Sequence, residues 1–234
     1  MGCCAIIEGT GVDAPGLYQI DYWSSQMTDR SVTDFHKIPA NARSLAQRKL
    51  VCGVGINDAW YIVQPVTTDN QGTCPIYSTW KNMLKRCYDL KYQTTRPTYE
   101  GCSVCTEWLT FSTFAMWMTS QKWKGMALDK DILVPNNKVY SPEKCAFVTL
   151  EVNNLFCDSG ASRGDWPVGV CWHKKAKKFM AYCRTDGNVK YLGLFTTPDA
   201  AHAAWRTFKI KVSHMAAVNQ PDPRVRNALL NYEG

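Results

Sequence analysis

The chain has 234 residues, 45% of them apolar, nine of them tryptophan, and a net charge of +7. That composition excludes a mainly disordered protein and suits one or two compact units with sizeable cores. No apolar run approaches the roughly 20 residues that cross a bilayer, and the first residues lack the basic start and apolar stretch of a secretory signal, so a cytoplasmic protein with no membrane contact is expected.

Residues 1–75 form a segment of unclear role. Within it, Leu50–Ile56 and Ala59–Val63 read as two short strands joined through the turn-prone pair Asn57-Asp58. Residues 76–88 read as a helix with Ile76, Trp80, Met83, Leu84 and Cys87 on one face. Lys81, Lys85 and Arg86 fall on the other, either as a solvated face or against phosphate. A second helix over 107–120 presents Trp108, Phe111, Ala115 and Met118 to a core. Leu128–Leu133 alternates like a strand, Pro135–Lys138 signals a turn, and Val139-Tyr140 and Cys145–Val148 supply further extended segments. Thr149 then caps a short helix reaching Phe156. Asp158–Gly164 reads as the boundary between a 76–158 core and a 164–220 module, with 221–234 as a tail.

Charge sets the last third apart. Residues 1–159 hold 15 Lys/Arg against 15 Asp/Glu, whereas residues 160–234 hold 12 against 5. An excess confined to one segment is what phosphate contact requires, although a solvated basic face gives the same count. Three strands are expected there, Val168–Trp172, Lys178–Arg184 and Val189–Phe195, with turns at Lys175–Lys177 and Asp186-Gly187-Asn188. Thr197, Pro198 and Asp199 open a helix running to about residue 216. Its alanines let it lie close on one sheet face. Phe179, Ala181 and Cys183 suit that face, leaving Met180, Tyr182 and Arg184 on the open one. Lys174, Lys175, Lys177 and Lys178 crowd the first turn, where a phosphate can be held.

Gly169–Trp172, Lys178–Arg184, Tyr191–Phe195 and the alanine-rich helix after Thr197-Pro198 resemble the ethylene-response-factor type of DNA-binding domain, over about 50 residues. The resemblance implies a sheet face that reads the major groove of double-stranded DNA. Carried over by position, the readers are Cys171, His173, Tyr182, Arg184 and Tyr191. Cys171, Tyr182 and Val189 stand where the plant domains carry charged residues.

Residues 97–156 are similar to a phage family of HNH-type endonucleases. The likeness is carried by Pro97-Thr98-Tyr99, Cys102–Trp108, Leu128–Asp131, Asn137–Cys145, Phe147-Val148 and Asn153-Asn154. It implies a ββα-metal hairpin and helix, and cytoplasmic action in an infected host. Asp129 matches the aspartate that binds divalent metal, Mg²⁺ or Mn²⁺; Asn137 matches the loop asparagine, and Asn153 or Asn154 the helix ligand. Lys130 stands where the family carries its histidine base. With an unperturbed pKa near 10.4, only about one lysine in a few thousand is neutral at pH 7. Asp129 and Asp131 favour the charged form further, so Lys130 reads as a phosphate clamp, with Asp131 or metal-bound hydroxide left to act as base.

Other readings stand beside these. Asp129 and Asp131 equally suit a solvated hairpin, and Asn153-Asn154 a helix terminus. Cys102 and Cys105 have a metal-like spacing and would bind zinc with Cys145 or Cys157, or else stay buried thiols like most of the eleven cysteines. The expected fold is α+β: a ββα-metal-like core, then a three-stranded antiparallel sheet packed on one helix. The expected function is a site-preferring, metal-dependent DNA endonuclease. A catalytically inactive DNA-binding protein on the same scaffold is the alternative, an RNA-binding module a third possibility, and a protein partner is not excluded.

Overall fold

The computed structural model describes residues 35–65, 72–155, 165–185 and 188–233. They fall into two compact units, divided between Thr149 and Leu150. No described helix is long and apolar enough to cross a membrane.

The first unit is built on helix α2 (Pro75–Tyr88), which buries Tyr77, Trp80, Met83, Leu84 and Cys87. Proline at its first position costs no hydrogen bond, because that N–H has no helical acceptor. Helix α4 (Phe111–Thr119) packs on α2 and buries Phe111, Phe114 and Met118. It begins later than expected, because Thr106–Leu109 form a separate 3₁₀ turn that buries Trp108. The Trp80 indole donates to the Trp108 carbonyl at 2.7 Å, locking the turn to α2. The α4 start is capped from a distance: the Asp58 carboxylate accepts from the Ser112 backbone N–H at 2.8 Å and from its hydroxyl.

The two strands expected at 50–63 do not form a hairpin. Val51 bridges Gly55 across a tight turn, Ile56 bridges Thr110, and Tyr61 bridges Pro39. A Cβ on Gly55 would stand 2.3 Å from Leu84 Cδ1, so only glycine lets the backbone press against α2 there. The Arg48 guanidinium, just after helix α1 (Ala42–Ala46), donates to the carbonyls of Asn57, Ala59 and Tyr61, the acceptors a paired strand would have used.

After the short helix α3 (Leu90–Thr95), four short strands complete the unit. Strand β1 (Ser103–Val104) runs parallel to β3 (Val139–Tyr140), and β2 (Ala127–Asp129) antiparallel to β4 (Ala146–Val148), with Asp129 opposite Ala146. Strand β2 stops at Asp129 rather than running to Leu133. The Asp129 carboxylate accepts the N–H groups of Asp131 and Ile132, at 2.9 and 2.7 Å, and turns the chain away.

The second unit opens with helix α5 (Leu150–Leu155). Its sheet has the order β5 (Val170–His173), β6 (Lys178–Thr185), β7 (Asn188–Phe195), all antiparallel, with a bulge between Ala181 and Tyr182. Helix α6 (Pro198–Ala217) starts at the Thr197 cap, whose side chain accepts the Ala200 N–H, and covers one sheet face. Ala201 and Ala204 meet Val170, Phe179, Ala181, Leu192 and Phe195 there. Gly169, at φ +74°, is held to glycine by the Trp205 indole, whose Cδ1 would lie 2.0 Å from any Cβ. The segment expected to be a tail carries helix α7 (Pro223–Leu230), which buries Val225 and Leu229 and packs on α6. The Ser213 hydroxyl donates to the Leu229 carbonyl at 2.8 Å across that contact. The expected boundary at 158–164, with Cys157 beside it, and the Asp186-Gly187 turn lie outside the described residues.

Candidate nucleic-acid interface and nuclease-like loop

The segment from Asp129 to Val139 is closed by its own polar side chains. Lys130 is buried, and its ammonium donates to both carboxylate oxygens of Asp131, at 2.6 and 2.7 Å, and to the Asn137 carbonyl at 2.7 Å. Those three bonds use every proton the ammonium has. Asn137, also buried, donates to the carbonyls of Lys130 and Val139 and accepts the Val139 N–H. Lys138 donates to the carbonyls of Thr98 and Glu100. Lys130 is therefore a brace inside the loop and not a clamp held out for phosphate.

Burial pushes the Asp129 carboxyl above the usual carboxylate range, against the pull of the Ile132 and Asp131 N–H groups. Its Oδ2 is the one oxygen of this loop's two carboxylates left without a hydrogen bond or ion pair among the described residues. Asn153, half-buried, and Asn154, exposed, lie on α5 in the second unit. Among the described residues no three His, Cys, Asp or Glu side chains gather as a ligand set, and the loop as bonded does not offer a divalent ion more than one free carboxylate oxygen. Cys102 and Cys145 are buried free thiols and Cys105 is half-buried. Burial pushes the Cys145 thiol up to about 12.

Arg86 is likewise withdrawn from the basic face expected on α2. Its guanidinium stacks 5.4 Å from the Tyr99 ring centre and hydrogen-bonds Tyr140, while Lys81 and Lys85 stay exposed.

In the second unit, strand register sorts the sheet's side chains. With Val170, Phe179 and Ala181 under α6, the opposite face carries four cross-strand rows: His173–Lys178, Cys171–Met180–Leu194, Tyr182–Tyr191 and Arg184–Val189. Four of the five positions carried over as readers reach solvent there. Cys171 is the exception: it is 6% exposed, beside Met180 at 9%, and neither reaches a base edge. Exposure is concentrated at the two ends of the face.

At one end, Lys174, Lys175, Lys177 and Lys178 are all exposed, and among the described residues no carboxylate pairs with them. The His173 Nδ1 accepts the Ala176 N–H at 3.0 Å and orders this turn, and Lys177 closes it at φ +50°, a conformation that glycine or asparagine normally takes. At the other end stand Arg184, Tyr191 and Val189, the last two 56% and 59% exposed. The six residue steps from Lys178 to Arg184 span about 20 Å. No family model, no curated protein and no solved structure matches the chain.

Val189, named from the sequence only as a departure from the plant domains and not among the readers, lies on this face opposite Arg184. Counting back in twos from Tyr191 gives the same placement.

Proposed function

We propose that this chain binds double-stranded DNA through the face of β5, β6 and β7 that α6 leaves open. The observation carrying this reading is the register, which places Tyr182, Arg184, Tyr191 and Lys178 on one side of one sheet, with the other turn lysines at its end. The major groove is about 12 Å wide and admits a two-stranded ribbon. With the Arg184 end on base edges, a lysine turn about 20 Å away meets the flanking phosphates. The charge excess of residues 160–234 supplies the attraction.

The central unit then serves as a scaffold on which the nuclease-like residues are structural. Metal-dependent cutting is the second reading. It is favoured by the antiparallel β2–β4 pair that precedes α5 in the chain, the order the ββα resemblance implies, and by the Asp129 oxygen, which would take Mg²⁺ or Mn²⁺. The closed Lys130–Asp131 pair weighs against it, since it withdraws both side chains from the role of base. Zinc at Cys102 and Cys105 belongs to the same reading.

Duplex binding and plasmid nicking by the wild-type chain and by Asp129→Ala, with Mg²⁺ or Mn²⁺ present, separate the two. Tight binding by both with no nicking supports the non-cutting reading. Metal-dependent nicking lost in the variant supports the nuclease, and absence of duplex binding overturns DNA recognition altogether.

A further inference from the structure

We infer that the Arg184 end of the open face reads the C5-methyl group of a pyrimidine in the major groove, through Val189 and Tyr191. This inference rests on the proposed duplex binding and adds what the face selects.

Val189 and Tyr191 expose apolar carbon in a place that charge alone does not explain. Val189 and Tyr191 sit on β7, directly across from Arg184 and Tyr182, and more than half of each is exposed. Phosphate attraction needs cations at this end, and Arg184 supplies one. Beside it, the valine and the ring carbons of the tyrosine offer nothing to a phosphate and lose water when the face docks; only the Tyr191 hydroxyl can donate to one. Base edges in the major groove carry hydrogen-bond donors and acceptors, with one apolar exception, the pyrimidine C5-methyl. A face that pairs an arginine with exposed aliphatic and aromatic carbon therefore fits a guanine next to a methylated pyrimidine, with Arg184 on guanine O6 and N7.

The geometry supports a division of labour within the face. Tyr182–Tyr191 and Arg184–Val189 are adjacent rows of one antiparallel pair, so the four side chains form one patch at the hairpin end of β6 and β7. The bulge between Ala181 and Tyr182 is what keeps Val189 and Tyr191 on this side. Were Leu192 paired in regular register instead of bulged, Tyr191 would pass to the α6 side and Lys190 would stand beside Arg184 on the open face. The buried row Cys171–Met180 separates this patch from the lysine turn, so cation contact and methyl contact occur at opposite ends.

Thymine and 5-methylcytosine present the same methyl, and the test distinguishes them. A preferred duplex is first selected from a random-sequence pool. Each thymine in it is then replaced singly by uracil, and each cytosine by 5-methylcytosine. Removal of one contacted methyl is expected to weaken binding about fourfold, the value of one buried methylene. Val189→Ala and Tyr191→Ala, checked for unchanged melting, are expected to bind the thymine and uracil duplexes alike. Tightening at methylated cytosines with no effect of uracil would assign the methyl to 5-methylcytosine and still support methyl reading. Equal binding to every modified duplex, or a uracil effect unchanged in both variants, would overturn it. Failure to bind any duplex would overturn the DNA reading beneath it.

Discussion

The ammonium of Lys130 lies against both carboxylate oxygens of Asp131 and completes its valence on the Asn137 carbonyl. The ammonium is almost closed to solvent while the carboxylate is half exposed, so the pair is anchored from the inside. Removing the lysine leaves a buried carbonyl without a donor and sets Asp131 beside Asp129 with no cation between them. Lys130→Met should therefore destabilise the first unit by about 2–3 kcal/mol, measured by urea unfolding. Duplex affinity of the folded variant should not change. A loss of affinity at full folding would restore Lys130 as a phosphate contact.

Asp129 gives a pH signature. Burial raises its folded pKa, so the folded state holds this proton more tightly than the unfolded chain does. Stability is then greatest below the ordinary carboxylate pKa and falls as pH climbs through the folded value. Asp129→Asn keeps an oxygen for the Asp131 and Ile132 N–H groups and carries no charge. The variant should melt higher than wild type at pH 7 and lose the advantage near pH 3. Asp129→Ala, which loses the turn as well, should melt lower than Asp129→Asn at both.

Lys177 occupies a left-handed conformation that costs a side chain about 1–2 kcal/mol. Lys177→Gly should raise the melting temperature of the chain and at the same time weaken duplex binding. The slope of log affinity on log salt should fall by about 0.9, one phosphate's share. Stabilisation without any change in that slope would remove Lys177 from the interface.

Gly169→Ala tests the packing of α6 on the sheet. A methyl at this position meets the Trp205 ring and a backbone at positive φ together. A loss of about 2–4 kcal/mol is expected from overpacking and strain, read by thermal unfolding. Leaving the lysine turn untouched, it should spare salt-dependent binding wherever the unit remains folded.

The second unit was legible because its signals are local. The Thr197-Pro198-Asp199 cap marks the start of α6 to the residue, and period-two alternation sorted Phe179, Ala181 and Cys183 from Met180, Tyr182 and Arg184. What escaped is long-range. Nothing near Arg48 in sequence says that its guanidinium takes three carbonyls from 57–61, or that Arg86 turns inward to Tyr140. The partners of Lys130 were hidden for a related reason. Lys130 was weighed as an isolated titrating group beside two carboxylates, whereas its surroundings include the Asn137 carbonyl brought back by the turn at Asn136. Helix α7 was hidden by a short, charged sequence whose apolar positions, Val225 and Leu229, make sense only against α6.

The decisive measurement is the salt dependence of duplex binding by the 234-residue chain, compared with a variant carrying glutamine at positions 174, 175, 177 and 178. Wild type should bind duplex DNA with affinity falling steeply as salt rises, and the variant's log–log slope should be shallower by about 3–4. A wild-type chain that binds no duplex, or a slope that the four substitutions leave unchanged, would contradict DNA recognition by this face.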